Sequence, residues 1–199
     1  LIAVQWAYDF SDLFRWTWLA NAIDSAAPHP AAIATINAGF DEFSEHIRIL
    51  FKDSDLQSLD FYNPDSTTEP SIARARRLYP SPVPAITIDS GQWNIDRQYN
   101  LIFIMFAAHE IRTQADRIAF FKQARLHLAP KNNSGTSRVI LVEHLRNLPN
   151  FIAFNIGTFH FYSFPTWKSA WSTAGLRMVK SFSISPFITV MILESDNNE

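Results

Sequence analysis

Apolar positions along the chain fall into two alternating patterns. Strand candidates occur at 32–38 (AIATINA), 55–61 (DLQSLDF), 84–89 (PAITID), 99–106 (YNLIFIMF) and 137–145 (SRVILVEHL), and several of them are near-continuous apolar runs. Runs of this length between turn residues read as strands, and their lack of alternation reads as burial on both faces of a parallel sheet. Between them, 41–51, 69–79 and 113–128 carry apolar residues at helical spacing. In the first, Phe43, Ile47, Leu50 and Phe51 share a face with Phe40 just ahead of them. Thr113 with Asp116 makes an approximate capping box that starts the third, and Pro70 suits the first turn of the second.

Past residue 145 the pattern changes. A helix near 165–174 opens with Pro165 and closes at Gly175, with Trp167, Ala170, Trp171 and Ala174 at helical spacing. Two strands follow, RMVKSFSIS and FITVMILE, joined around Pro186 by a connection too short for a crossover, so they should run antiparallel. KNNSGTS (131–137) reads as a surface turn, and no internal repeat is visible. The expected architecture is α/β: a Rossmann-like, seven-stranded, mostly parallel sheet with an antiparallel C-terminal hairpin and helices on both faces. A single structural domain is expected, with 31–199 forming the α/β unit and 1–30 an aromatic helical lid or cover.

Composition narrows the chemistry. The 199 residues are 47% hydrophobic and 18% charged, which suits one compact core, and the net charge is −2. The densest basic group, Arg74, Arg76 and Arg77, lies on a predicted helix and reads as a solvated face, so no nucleic-acid partner is expected. With no cysteine, disulfides, thiolate catalysis and Cys-ligated metals are excluded. That fits a reducing, cytoplasmic setting. No apolar run approaches the roughly 18–20 residues of a membrane span. The chain opens on Leu rather than Met and shows no signal-peptide pattern, which fits a numbering that begins inside a longer chain or that skips residues.

The stretch INAGFDEFSEHI (36–47) is a strand, a tight turn and a helix, the arrangement in which many α/β proteins hold a nucleotide-like cofactor, yet it carries a single glycine, Gly39. Several motifs together resemble the seven-stranded S-adenosylmethionine (SAM)-dependent methyltransferases. These are YNLIFIMFAAHEIR at the fourth strand, VEHLRNLPNF after the fifth, and TWKSAWSTAGL before the hairpin, and the resemblance covers about 30–194. It implies SAM as cofactor and a methyl-transfer activity. It also implies a glycine-rich first loop, where this chain has Asn37, Ala38, Gly39, Phe40 and Asp41; Asn37, Ala38, Gly39 and Asp41, with Phe106 at the end of the fourth strand, are expected to line the SAM pocket.

Charge weighs on the cofactor independently. A dinucleotide would set its pyrophosphate on the helix N-terminus, where Asp41 and Glu42 would repel it. SAM carries a sulfonium instead of phosphate and tolerates an acidic turn; the simpler reading is that both carboxylates only stabilise the helix dipole. Asp60 ends the second strand about twenty residues beyond Gly39, the place from which a carboxylate accepts from ribose hydroxyls. An Asp there can equally form a turn. On the resemblance, Phe61 flanks the adenine, and Asp89 with Ser90 contacts its edge; an Asx-type turn is the alternative.

The fourth strand ends in Phe106-Ala107-Ala108-His109-Glu110 and the fifth in Glu143-His144, both at the carboxyl rim where open parallel sheets bind ligands. His109 and His144 are the candidate catalytic residues, since imidazole titrates near neutrality and can take a proton from a nucleophile. His160 lies in the aromatic segment GTFHFYSF. No compact metal motif links these histidines, and no metal is expected. No Gly-x-Ser-x-Gly elbow occurs, which argues against an α/β-type serine hydrolase.

Trp6, Tyr8, Phe10, Phe14, Trp16 and Trp18 crowd into thirteen positions. Such a segment covers a core or forms a lid over an apolar pocket. With FIAFNIGTFHFYSF as an opposite wall, it favours a small, aromatic or lipophilic substrate. The leading expectation is a SAM-dependent methyltransferase of such a molecule. The alternative is a methyltransferase-fold protein used as a binding or assembly module, which the single-glycine turn supports.

Overall fold

The computed structural model describes residues 12–23, 30–65, 70–130 and 137–196. Trp6, Tyr8 and Phe10 of the aromatic N-terminal segment, and most of the turn expected at 131–137, lie outside them.

Seven strands form one sheet: β1 (Ala32–Asn37), β2 (Asp55–Asp60), β3 (Ala85–Thr87), β4 (Leu101–Met105), β5 (Arg138–His144), β6 (Leu176–Ser185) and β7 (Ile188–Ser195). Their order is β3-β2-β1-β4-β5-β7-β6. The first five strands are parallel, and β7 runs antiparallel to both β5 and β6, as the short connection around Pro186 requires. The helices are α1 (Leu19–Ala22), α2 (Ser44–Leu50), α3 (Pro70–Leu78), α4 (Gln114–Leu126), α5 (Leu148–Phe154) and α6 (Phe164–Thr173), with 3-10 turns at Ala108–Glu110 and Asn155–His160.

The unbroken apolar runs have a direct cause. Along β4, Leu101, Phe103 and Met105 pack on one face with Ile33, Ile140, Val142, Ile47 of α2, and Leu13, Trp16 and Trp18. Ile102 and Ile104 pack on the other with Phe120, Phe121 and Ala124 of α4 and Trp167, Ala170 and Trp171 of α6. Every position of β4 is buried, so no polar alternation survives. The described part of the N-terminal segment therefore covers one face of the sheet: Trp16 and Trp18 stack at 5.5 Å, and Trp16 meets Phe43 edge-on.

The helix ends follow local chemistry. The Thr113 hydroxyl accepts the Asp116 amide at 3.1 Å to start α4, and Ser163 and Asn147 cap α6 and α5 in the same way. Gly175 ends α6 at φ +78°, where a Cβ would meet the Arg125 guanidinium at 2.6 Å.

This strand order reverses direction between β1 and β4: the chain moves outward through β2 and β3, then returns to add β4 and β5 on the other side. The carboxyl ends of β1 and β4 consequently splay their loops apart, and a crevice opens between them.

Candidate active site

Two crevices meet at that switch point. The larger, of about 700 Å³, is lined by Ala38 after β1, Phe61 and Tyr62 after β2, Ile88, Asp89 and Ser90 after β3, and Glu110 to Arg112 after β4. The smaller, of about 300 Å³, is mostly apolar and is lined by Ala38, Phe40, Glu42, Phe43, Ile72, Met105, Phe106, His109, Glu110, His144, Phe154 and Phe161. Ala38 and Glu110 belong to both, so the polar crevice runs into the apolar one. A third cavity of about 280 Å³ holds Asn37, Gly39, Asp41, Asp60 and Arg76. Ala38, Phe61, Asp89 and Ser90 thus line the large crevice; Phe106, His109 and His144 share the apolar one; Asn37, Gly39, Asp41 and Asp60 stand together in the third.

In the first loop, side chains hold one another. The Asn37 Oδ1 accepts the Gly39 amide at 3.2 Å while its Nδ2 donates to Ser58. Asp41 accepts the amides of Phe43 and Ser44 at the start of α2, and the hydroxyls of Ser58 and Ser81. Gly39 has φ +99°, and a Cβ there would lie 2.6 Å from the Tyr62 ring and 2.9 Å from Ile72. The close approach that a glycine permits is therefore made by Tyr62 and Ile72. Phe40 turns aside, edge-on to Tyr79.

Asp60 is buried, 3% exposed. Its carboxylate accepts the Tyr62 amide at 2.9 Å and an ion-paired hydrogen bond from Arg76, which also reaches the Gly39 carbonyl and lies over the Tyr62 ring. Asp89 accepts the Gly91 amide at 2.8 Å, an Asx turn at the mouth of the large crevice.

At the apolar crevice the two imidazoles have opposite electrostatics. The His109 Nδ1 donates to Glu143 at 2.9 Å, its peptide N–H donates to the same carboxylate, and its Nε2 lies 3.4 Å from Glu110. Burial opposes charge on this ring, yet the fully buried Glu143 and the adjacent Glu110 outweigh it and raise the His109 pKa to about 10. Burial likewise acts to raise Glu110, but His109, His160 and Arg112 hold it well below the usual carboxylate range. His144 instead sits among Phe106, Phe154 and Phe161, with ring centroids 4.9–5.0 Å away. Its burial lowers its pKa, and its Nδ1 donates to the Phe187 carbonyl at 2.9 Å, which leaves the lone pair on Nε2. Phe106 adopts φ +50°, a left-handed conformation that costs a bulky residue energy and turns its ring onto His144.

No family model and no curated protein matches the sequence. Solved structures match the fold. Human N-acetylserotonin methyltransferase in complex with SAM superposes with a TM-score of 0.65 at 10% identity, over 98% of this chain and 53% of that one. A putative O-methyltransferase from Nostoc punctiforme gives 0.65 at 16%, over 98% and 60%. The mitomycin 7-O-methyltransferase MmcR gives 0.63 at 14%, over 92% and 54%. The chain has the fold of the SAM-dependent methyltransferases. It spans little more than half the length of these three proteins.

The large crevice has the size of a small-molecule site, for which about 300–1,000 Å³ is usual. The Phe61 ring offers a flat and Ile88 a branched apolar contact for a nucleobase, and Asp89 and Ser90 offer polar edges. The first loop fits less openly, because Tyr62 and Arg76 stand over Gly39 and Asp60, the two positions that would meet the amino-acid end and the ribose of SAM, respectively.

Sequence reading overlooked four contributors. Tyr62 and Ile72 gave no sign of covering Gly39, and Arg76 passed as one of three solvated arginines. Arg117, 4% exposed, is the fourth: it donates to the carbonyls of Ile111 and Arg112 and lies 3.9 Å over the Tyr162 ring, fixing the loop that carries Glu110. A conspicuous signal existed only for Arg117, a charge on the otherwise apolar face of a predicted helix.

Proposed function

We propose that the chain is a SAM-dependent methyltransferase acting on a small, aromatic or lipophilic molecule. The observation that carries this is the junction of the two crevices at Ala38 and Glu110. One crevice suits an adenosyl group and the other an apolar acceptor, side by side at the switch point of the sheet. SAM would supply an electrophilic methyl group. Phe61, Asp89 and Ser90 would hold its adenine, Ala38 and Gly39 its amino-acid side, and Asp60 its ribose once Arg76 turns away.

In-line methyl transfer asks the protein for alignment and exclusion of water more than for covalent help. Phe40, Phe106, Phe154 and Phe161 would seat the acceptor and keep water out. His144, held neutral with its lone pair on Nε2, is the better placed of the two histidines to take a proton from an acceptor hydroxyl. His109, charged between two carboxylates, would order the rim. The aromatic segment within 1–30 would complete the cover, leaving 31–199 as the methyltransferase-like unit.

The alternative, a binding or assembly module, draws on the covering of Gly39 by Tyr62 and Ile72. Calorimetry and thermal unfolding with SAM and its demethylated product, S-adenosylhomocysteine, separate the two. A bound ligand at 100 times its dissociation constant adds about 2.7 kcal/mol of stability. No heat and no stabilisation at millimolar ligand would favour the module.

A further inference from the structure

Three side chains that are far apart in sequence converge on the rim between the crevices. The His160 Nε2 lies 3.1 Å from Glu110 Oε1, and the His109 Nε2 lies 3.4 Å from the same oxygen. One ligand atom from each of the three residues lies within 4.8 Å of the other two. Tetrahedral bonds of 2.0–2.2 Å place ligand atoms about 3.3–3.6 Å apart. Two of the three edges are therefore close to that spacing; the third is within 4.8 Å, and cation binding would require His160, whose side chain is 29% exposed, to rotate toward His109.

An independent feature surrounds them. The Nδ1 of His109 is held by Glu143, a fully buried carboxylate at the end of β5. A carboxylate on the far nitrogen is the usual support of a metal-binding imidazole, since it orients the ring and raises its basicity. Two carboxylates around His109 also supply the negative charge that offsets a cation, which on binding would displace the Nε2 proton that His109 carries in its absence. Arg112 opposes this: its Nη2 lies 3.1–3.2 Å from both ring nitrogens of His160 and 3.2 Å from Glu110 Oε2. Its side chain is 45% exposed and has solvent to move into.

We propose that His109, Glu110 and His160 form a binding site for a divalent cation of the zinc class, with Glu143 as the positioning carboxylate. Two imidazoles and one carboxylate suit zinc or cobalt rather than magnesium or calcium, which prefer all-oxygen ligands. Three protein ligands leave a coordination position for water or an acceptor oxygen. Glu110 lines both crevices, so a cation there stands within reach of a molecule in either.

The test uses the full chain, stripped with a chelator and titrated with Zn²⁺ by calorimetry and chelator competition, without SAM or its product. One equivalent should bind, Co²⁺ in its place should give the visible absorption of a low-coordinate site, and millimolar Mg²⁺ should not compete. Glu110→Gln and His160→Gln should abolish that equivalent, and Glu143→Gln should weaken it by about 10–100-fold. His160 is partly exposed, so its variant keeps the fold even if changes at His109 do not. Absence of binding at micromolar Zn²⁺, or binding unchanged in Glu110→Gln and His160→Gln, overturns the proposal whether or not the chain binds SAM.

Discussion

Arg76 on α3 donates to the carboxylate of Asp60 at the carboxyl end of β2, and the Tyr62 ring beneath it rests on Gly39. The residues proposed to hold a ribose are thereby held by the protein itself. Release of this contact should precede or accompany cofactor binding. Arg76→Ala is expected to tighten binding of SAM or its product by a few fold, since a pair with one exposed partner is worth up to about 1 kcal/mol. Calorimetry on the two proteins decides it, and weaker binding in the variant would show that Arg76 is a ligand-side group instead.

Asp60→Ala acts on both folding and binding. The carboxylate is buried and bonded to an amide and a guanidinium, so its loss should cost about 1–3 kcal/mol in urea unfolding. Cofactor affinity should fall roughly 10- to 150-fold, the equivalent of about 1.5–3 kcal/mol for a charge-assisted hydrogen bond. Lowered stability with unchanged affinity would make Asp60 a turn residue only.

Gly39→Ala should destabilise the protein by at least about 1–2 kcal/mol, the cost of a left-handed backbone to an L-residue. The clash with Tyr62 adds to this, so Tyr62→Ala should recover part of the loss when combined with it. Additive losses in the double variant would mean that the two do not meet.

Buried Glu143 and His109 should be strongly coupled. His109→Gln leaves a carboxylate buried beside a weaker partner, an arrangement that typically costs about 3–5 kcal/mol. Glu143→Gln together with His109→Gln should cost less than the sum of the single changes, by about 0.5–3 kcal/mol in a double-mutant cycle.

His144 contributes to pH-dependent stability with a definite sign. Its folded pKa lies below the ordinary 6.5, so on acidification the unfolded chain takes up a proton that the folded site refuses. This contribution to stability is present above pH 6.5 and is lost as pH falls through that value toward the folded pKa. The difference in unfolding free energy between wild type and His144→Phe should therefore shrink from pH 8 to pH 5. A constant difference would mean that His144 titrates as it does in the unfolded chain.

The elements themselves were legible in the sequence, because burial on both faces of a parallel sheet writes unbroken apolar runs into β1, β4 and β5. Thr113, Pro165 and Gly175 marked helix ends because capping acts over three or four residues. The antiparallel hairpin followed from a connection too short for anything else; the strand order did not, because the alternation of β and α units leaves open which edge of the sheet each new strand joins. The occupancy of the site obeyed no local rule. Arg76 meets Asp60 sixteen residues away, Glu143 meets His109 across thirty-four, and His160 meets Glu110 across fifty. Nothing in the spacing of Arg74, Arg76 and Arg77 separates the arginine that bends inward from its two neighbours, and no compact spacing links His160 to His109 and Glu110. Such contacts exist only once β1, β2, β4 and β5 lie side by side and bring their carboxyl ends to one rim, so tertiary structure alone decided them.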